Sequence, residues 1–429
     1  MQWLPHPSRE FDRLARALRP TPPAVERAVT GILRAVRERG DDALVALTRR
    51  FDGVSLKRSA MRVSPSVLRR AGVSPGLARA ARGTLREVRA FALASLPRDW
   101  TRRNAHGASV GEKFDPLGRV GVYIPGGSVP LMSTVYMTVA LARVAGVREI
   151  AVCTPPPIAA PLLWALGECD ATEVYQIGGA QAIAAMAYGT GTISAVDKIF
   201  GPGNSYVTEA KRQLFGVVAV DLLAGPSELM VLADESARMD WAAADLLAQA
   251  EHGSGYERIF CVSPSRTVLR AIHDELHRQA GRYISNRSLA RVLSEGTWWI
   301  QTRTRKGMVE VANALAPEHL QIMTQQARQV ASKIRAAGAI FLGNHSPTVL
   351  GDFVAGPSHT LPTGGAGRAI SGLRVADFMR RTSMVEYPSV SLGRAAAGVA
   401  VFAEAENLPA HAASMQIRAP AAGDADGVD

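Results

Sequence analysis

From residue 114 onward the chain runs twice through one rhythm: a short β-rich run, a turn rich in Gly or Pro, then a helix-like run. Arg119 to Ile124 reads as a strand ending in a Pro125-Gly-Gly turn. Glu149 to Cys153 and Glu173 to Ile177 read as further strands, and Lys198-Ile-Phe as a fourth, ahead of Gly201-Pro-Gly-Asn204. Ser133 to Ala145, Pro161 to Gly167, Gly179 to Tyr188 and Ser205 to Phe215 supply the intervening helices. The alternation restarts with Glu228 to Ala233, Asp240 to Ala250, Arg258 to Val262 and Val268 to Gln279. Strands that alternate with helices are joined by crossovers, and crossover-linked strands pair in parallel. The expected fold is therefore α/β, with two layered, Rossmann-like domains built on mostly parallel sheets.

The flanks differ. Before residue 114, apolar residues recur at helical spacing, with Val25, Val29, Ile32, Leu33 and Val36 followed by Ala43, Leu44 and Leu47 after a Gly40-Asp-Asp break. After residue 370 the rhythm is lost, which predicts an irregular C-terminal arm and, from about 420, a disordered small-residue tail. The expected divisions are a helical, Arg-rich segment over 1–113, a first α/β domain over 114–225, a second over 226–370 and the arm over 371–429.

Charge and cysteine content exclude several classes. The net charge of +11 lies wholly in residues 1–113, where 23 Lys and Arg face 10 Asp and Glu; the rest has 26 against 28. The arginines fall at helical spacing (Arg79, Arg82, Arg86, Arg89) without aromatic interleaving or a DNA-binding motif, so a solvated helix face is expected and no nucleic-acid partner. No apolar stretch reaches the length of a membrane span, and Met1 to Pro20 has no apolar signal core. Cys153, Cys169 and Cys261 are odd in number and far apart, as for buried thiols in a reducing compartment; the cytoplasm is the expected location.

Four of the nine histidines stand in runs that also carry a carboxylate or amide: Gln249-Ala-Glu-His252, Ala316-Pro-Glu-His319-Leu, Gly351-Asp352 with His359, and Glu406 with His411. Nitrogen donors with a hard oxygen donor suit Zn²⁺, and a Glu-His pair suits proton transfer near neutral pH. Gln249 and His252, three apart on a predicted helix, can share one ion. Each histidine taken singly is more often a core side chain bonded to backbone. A dinucleotide fingerprint of the G-x-G-x-x-G type is missing. Three Gly-bearing strand-to-helix junctions, at Tyr123, Gly178 and Gly201, could take a phosphate or serve only as tight turns.

Taken together, the runs Asp115-Pro-Leu-Gly-Arg-Val-Gly-Val-Tyr-Ile-Pro-Gly-Gly127, Val196-Asp-Lys-Ile-Phe-Gly-Pro-Gly-Asn204, Ala224-Gly-Pro-Ser-Glu228, Gln249-Ala-Glu-His-Gly253, Ala316-Pro-Glu-His-Leu320 and His359-Thr-Leu-Pro-Thr-Gly-Gly365 resemble histidinol dehydrogenases in order and spacing, over about residues 25 to 418. The resemblance implies a zinc-dependent, NAD-linked homodimer with shared active sites, one zinc per subunit, oxidising L-histidinol through the aldehyde to L-histidine. It implies Gln249, His252, Asp352 and His411 as zinc ligands, the last from the partner subunit, and Glu318 and His319 as the proton-transfer pair. Ser227, His359 and Glu406 would contact the substrate, with the zinc ligands and His319 also lying against it. Tyr123, Gln181 and Asn204 would line the NAD⁺ site. A paralogous dehydrogenase of another small polyol, such as sulfopropanediol, is the alternative. The sequence departs from the family in its Arg-rich N-terminal segment and at Trp298-Trp-Ile-Gln-Thr-Arg-Thr-Arg-Lys306, neither of which holds a site residue.

Overall fold

The computed structural model describes residues 2–16, 21–126, 131–283 and 286–418; the predicted disordered tail lies outside them. By internal packing the chain divides into two units, Met1–Ser95 with Leu117–Phe378, and Leu96–Pro116 with Met379–Asp429.

The larger unit holds two wholly parallel sheets, as the alternation predicts. The first orders its strands Glu173–Tyr175, Glu149–Cys153, Arg119–Tyr123, Lys198–Phe200 and Ala219–Val220. The second orders Gln2–His6, Thr297–Thr302, Arg258–Ser263, Glu228–Ala233, His319–Met323 and Ala339–Leu342. Every residue of Glu228–Ala233 and Arg258–Ser263 is buried, the pattern of strands covered on both faces. In the first sheet the chain starts at an inner strand, winds to one edge, then returns to wind the other way; in the second it does the same from Glu228–Ala233 onward, after Gln2–His6 has been laid at the edge. The reversal falls between Arg119–Tyr123 and Lys198–Phe200 in the first sheet, and between Glu228–Ala233 and His319–Met323 in the second. Residues 221–227 lead from the carboxyl end of the first sheet straight to the amino end of the second.

The N-terminal helices pack by the predicted stripe: Val29, Ile32, Leu33 and Val36 of Pro23–Arg39 and Ala43, Leu44 and Leu47 of Asp41–Asp52 are buried in the core of the first sheet. In Pro75–Ala94, which buries Ala81, Leu85 and Val88, Arg79, Arg82 and Arg86 are exposed and Arg89 is half-buried, so the part of the basic excess carried by this helix is largely solvated.

Three local expectations are corrected. Residues before 114 are not all helical: Gln2–His6 is an edge strand of the second sheet, and Trp100–Arg103 and Ser109–Pro116 are antiparallel strands of the smaller unit. Pro5 is tolerated because an edge strand leaves one side of its backbone unpaired. The predicted helix Ser133 to Ala145 is two helices, Met132–Tyr136 and Val139–Ala145. At the break the Met137 carbonyl accepts from Ser358 Oγ at 3.1 Å, and Met137 Sδ from the His359 N–H at 3.1 Å. The arm, finally, is regular. Met379–Glu386 pairs antiparallel with Ser109–Pro116, and the helices Ser389–Ala405 and Pro409–Gln416 follow. Its apolar side chains are mostly exposed, including Val390, Val401 and Phe402, so the helical period leaves little imprint as a buried stripe.

Candidate active site

Glu318 and His319 stand at the head of their strand, where the Arg305–Leu315 helix ends on Ala316 at a φ of +46° and Pro317 follows. Both side chains are buried. The Glu318 carboxylate accepts from the Glu228 N–H at 2.7 Å. His319 Nδ1 lies 3.1 Å from the Glu228 carbonyl oxygen, which can only accept, so Nδ1 carries the hydrogen. That leaves Nε2 as the atom that exchanges a proton. Burial alone would lower the His319 pKa; the Glu318 carboxylate, 3.5 Å from Nδ1, and the charge of Asp352 outweigh it and raise the pKa to about 9. The ring is therefore an imidazolium at neutral pH and becomes a base only after losing the Nε2 proton.

His359 is oriented by the same device, with Nδ1 3.2 Å from the backbone carbonyl oxygen of Asp352. Burial lowers its pKa against the opposing pull of Asp352, so this ring is neutral at physiological pH. Asp352 itself sits on the short helix Val349–Phe353. The electrostatic coupling of Asp352 to both rings, and of His359 to Glu318, marks these four side chains as one cluster.

Gln249 is buried on the last turn of Met239–Ala250, whereas His252 lies past the helix end, beyond the cap residue Glu251. This corrects the expectation that both ride one helix face. They still meet: His252 Nδ1 is 3.3 Å from Gln249 Nε2 and 3.2 Å from its carbonyl oxygen. Ser227 is half-buried, and its carbonyl accepts from Arg258 N. Glu406 and His411 belong to the smaller unit, Glu406 capping Ser389–Ala405 and His411 on Pro409–Gln416; both are exposed. Among the described residues no group of three His, Cys, Asp or Glu side chains gathers at metal-holding distance.

Tyr123, Gln181 and Asn204 lie at the carboxyl ends of the first sheet. Tyr123 is buried, which pushes its phenol up to about 12, and its oxygen accepts from the Gly179 N–H at 3.1 Å. Gln181 is buried in the first turn of Gly179–Tyr188, a helix start with no side-chain cap. Asn204 caps Ser205–Leu214, its Oδ1 accepting from Tyr206 N at 3.0 Å and Val207 N at 3.2 Å.

Sequence reasoning missed the backbone of Glu228, which holds both members of the Glu-His pair, and Met137, which anchors the His359 segment. Neither has a chemical signal in the sequence. It also missed the ion pair of Lys211 and Asp221, for which a signal existed: Lys211 falls on the apolar stripe Val207, Ala210, Leu214.

Two parallel sheets, with capless helix starts at the carboxyl end of one and a buried Glu-His pair at the amino end of the other, make this an α/β protein that holds side chains of the type proton transfer needs. Residues 18–419 match the family described as histidinol dehydrogenase. The chain is 42% identical over 399 residues to the histidinol dehydrogenase of Geobacillus kaustophilus, covering 91% of this chain and 93% of that one. It is 40% identical over 419 residues to that of Gluconobacter oxydans, covering 96% of each. A solved histidinol dehydrogenase from Elizabethkingia anophelis superposes with a TM-score of 0.93 at 32% identity, covering 97% of this chain and 98% of that one. The chain belongs to the histidinol dehydrogenase family and is an NAD-dependent dehydrogenase.

Proposed function

We propose that this enzyme oxidises L-histidinol to L-histidinaldehyde and then to L-histidine, each step passing one hydride to NAD⁺ and the second adding one water. The observation that supports this best is the buried Glu318–His319 pair, with His319 Nδ1 committed to the Glu228 carbonyl, in a chain 42% identical to a histidinol dehydrogenase. In the first step His319 Nε2 takes the hydroxyl proton as hydride leaves the carbinol carbon. In the second, the Glu318 carboxylate takes a proton from the water that adds to the aldehyde while His319 Nε2 returns one to the carbonyl oxygen, and hydride leaves the resulting diol as His319 Nε2 takes a hydroxyl proton. His359 and Ser227, with Glu406 of the partner subunit, orient the substrate. Such placement is worth up to several kcal/mol of the barrier.

The donor set fits one zinc ion per subunit. An amide oxygen from Gln249, imidazole nitrogens from His252 and His411, and the Asp352 carboxylate are the ligand types that zinc accepts. Gln249 and His252 already touch. With His411 drawn from the partner subunit, each chain offers only His252 and Asp352 of the usual metal-binding types, so the cage is complete only in a homodimer. The ion would bind the substrate's imidazole and amino nitrogens and so fix the carbinol carbon.

The first sheet offers a fitting seat for the dinucleotide, because the first turn of Gly179–Tyr188 has no N-cap side chain and, beyond the Gly179 N–H held by Tyr123, has backbone N–H groups to offer a phosphate. Gln181, Tyr123 and Asn204 would line it. The decisive assay is NADH production from L-histidinol with and without a chelator, with 2,3-dihydroxypropanesulfonate in parallel. Zinc-dependent turnover of histidinol is expected; turnover of the sulfonate instead would assign the paralogous activity.

A further inference from the structure

We infer that Lys211 and Asp221 form a buried brace that presets the Gly201–Asn204 turn for the dinucleotide and ties it to the segment carrying Ser227. Both are positioning residues, and the inference rests on the reading that NAD⁺ binds at this turn. The two side chains are 3% and 2% exposed, and Lys211 Nζ lies 2.6 Å from Asp221 Oδ1. The ammonium also donates to the Gly201 carbonyl. Asp221 Oδ2 accepts from the Gly201 N–H at 2.7 Å, and Oδ1 from the Leu222 N–H at 2.6 Å. One ion pair thus holds both the N–H and the carbonyl of the first residue of the turn.

Gly201 has no freedom to shift toward the sheet. Its φ is +104°, and a Cβ there would stand 2.1 Å from the Tyr123 carbonyl oxygen, so the turn rests on the backbone of a second NAD-lining residue. Downstream, Thr208 Oγ1 donates to the Ala224 carbonyl at 2.8 Å, and the Gly225 N–H donates to Thr363 Oγ1 at 2.6 Å. The linker from the cofactor end of the first sheet to Ser227 is therefore pinned at 221, 224 and 225. Simple packing would not call for this arrangement, since apolar side chains of similar volume commonly match or exceed a buried ion pair in stability. What an ion pair adds is direction: its hydrogen bonds fix where the Gly201 peptides point.

The test uses Lys211→Met and the double variant Lys211→Met/Asp221→Asn, which removes both charges and leaves none buried alone. NAD⁺ affinity is measured by calorimetry on the zinc-loaded dimer without histidinol, alongside steady-state kinetics. Because small misplacements near a reacting site are expensive, the dissociation constant and the KM for NAD⁺ are expected to rise at least about tenfold. The KM for histidinol, and kcat at saturating NAD⁺, should change far less. A folded double variant that binds NAD⁺ like the parent, or that loses kcat with KM for NAD⁺ unchanged, overturns the brace. Amide exchange on the unmodified, cofactor-free enzyme needs no variant to fold. The Gly201 and Leu222 amides should exchange as slowly as strand amides, and loop-like exchange there would also overturn it. Gln181→Ala separates the two readings. If it weakens NAD⁺ binding and the brace variants do not, only the brace fails; if it does not, the cofactor reading fails.

Discussion

The two sheets of the larger unit present opposite ends to the chemistry proposed for them. Tyr123 closes its strand, Asn204 follows the strand Lys198–Phe200, and Gln181 opens a helix, so the cofactor residues belong to the carboxyl ends of the first sheet. Glu228 and His319 open their strands, and Gln249 is on the last turn of a helix, so the proton-transfer candidates and the metal candidates Gln249 and His252 belong to the amino ends of the second. At carboxyl ends of a parallel sheet the crossover helices begin, with unsatisfied N–H groups and a partial positive charge that suits phosphate. At amino ends they finish, with unsatisfied carbonyls and a partial negative charge that suits a cation. One fold, used twice in opposite directions, yields an anion-favouring end and a cation-favouring end, joined by the linker 221–227.

The comparison breaks most sharply at His319. Replacing it with Asn should leave the dimer, zinc content and NAD⁺ affinity intact and lower histidinol oxidation by about 10²–10⁴-fold, the usual cost of losing a general base. The parent's kcat/KM should climb with pH through the His319 pKa of about 9, because the ring must first lose the Nε2 proton. That climb should vanish in the variant. Near-parental turnover by the variant at any pH would refute the assignment.

The proposed sharing of the cation-favouring end gives the next largest effect. His252→Ala and His411→Ala should each be inactive as homodimers. Co-refolded, they should regain up to about half of parental activity per heterodimer, since two-fold symmetry puts both defects in one site and none in the other. Activity with added zinc is the readout, and no recovery in verified heterodimers would mean that the arm serves its own subunit.

A smaller, more selective change is expected from Glu318→Gln. The amide keeps the shape but cannot take a proton, so oxidation of histidinaldehyde should fall more than oxidation of histidinol. The variant also removes the charge that opposes burial at His319, so the rise in kcat/KM should move to lower pH. Equal losses with both substrates would argue against Glu318 as the water-activating group.

Arg119–Tyr123, Glu149–Cys153, Glu173–Tyr175, Lys198–Phe200, Glu228–Ala233 and Arg258–Ser263 were legible to within about two residues at each end, because a strand bounded by Gly and Pro advertises itself locally, whereas Ala219–Val220, Thr297–Thr302 and His319–Met323 were not. The Glu-His and Gln-His runs were legible too, since their chemistry depends on residue type at short spacing. Three further features were not. Gln2–His6 is a strand only because Trp298 and Trp299 lie beside it, and five residues with a proline at the fourth carry no period. The break after Tyr136 answers to a partner more than two hundred residues away, in Ser358 and His359. Which end of each sheet carries which chemistry follows from strand order, and strand order is a property of the assembled sheet.

The smallest effect concerns the layer beneath the cation-favouring end, at Asp245, one helical turn before Gln249. Its buried carboxylate accepts from Gln321 Nε2 at 2.7 Å, two residues along the strand from His319, while Gln321 Oε1 finds no partner among the described residues. Burial, only partly offset by that hydrogen bond, raises the Asp245 pKa to about 6. A folded-state pKa above the unfolded value gives a stabilising contribution that is complete below the unfolded pKa of about 4 and lost as pH rises through 6. Above pH 6 the fold therefore carries a charged carboxylate at a disadvantage of at most about 3 kcal/mol. Asp245→Asn removes that charge, still accepts from Gln321, and gains an N–H to offer the unpaired Oε1. It should stabilise the zinc-loaded dimer by about 1–2 kcal/mol at pH 8, with the gain shrinking toward zero near pH 4. Denaturant unfolding of parent and variant across this range reads the difference directly. A difference that stays constant with pH would mean that the carboxylate is not disadvantaged by its burial.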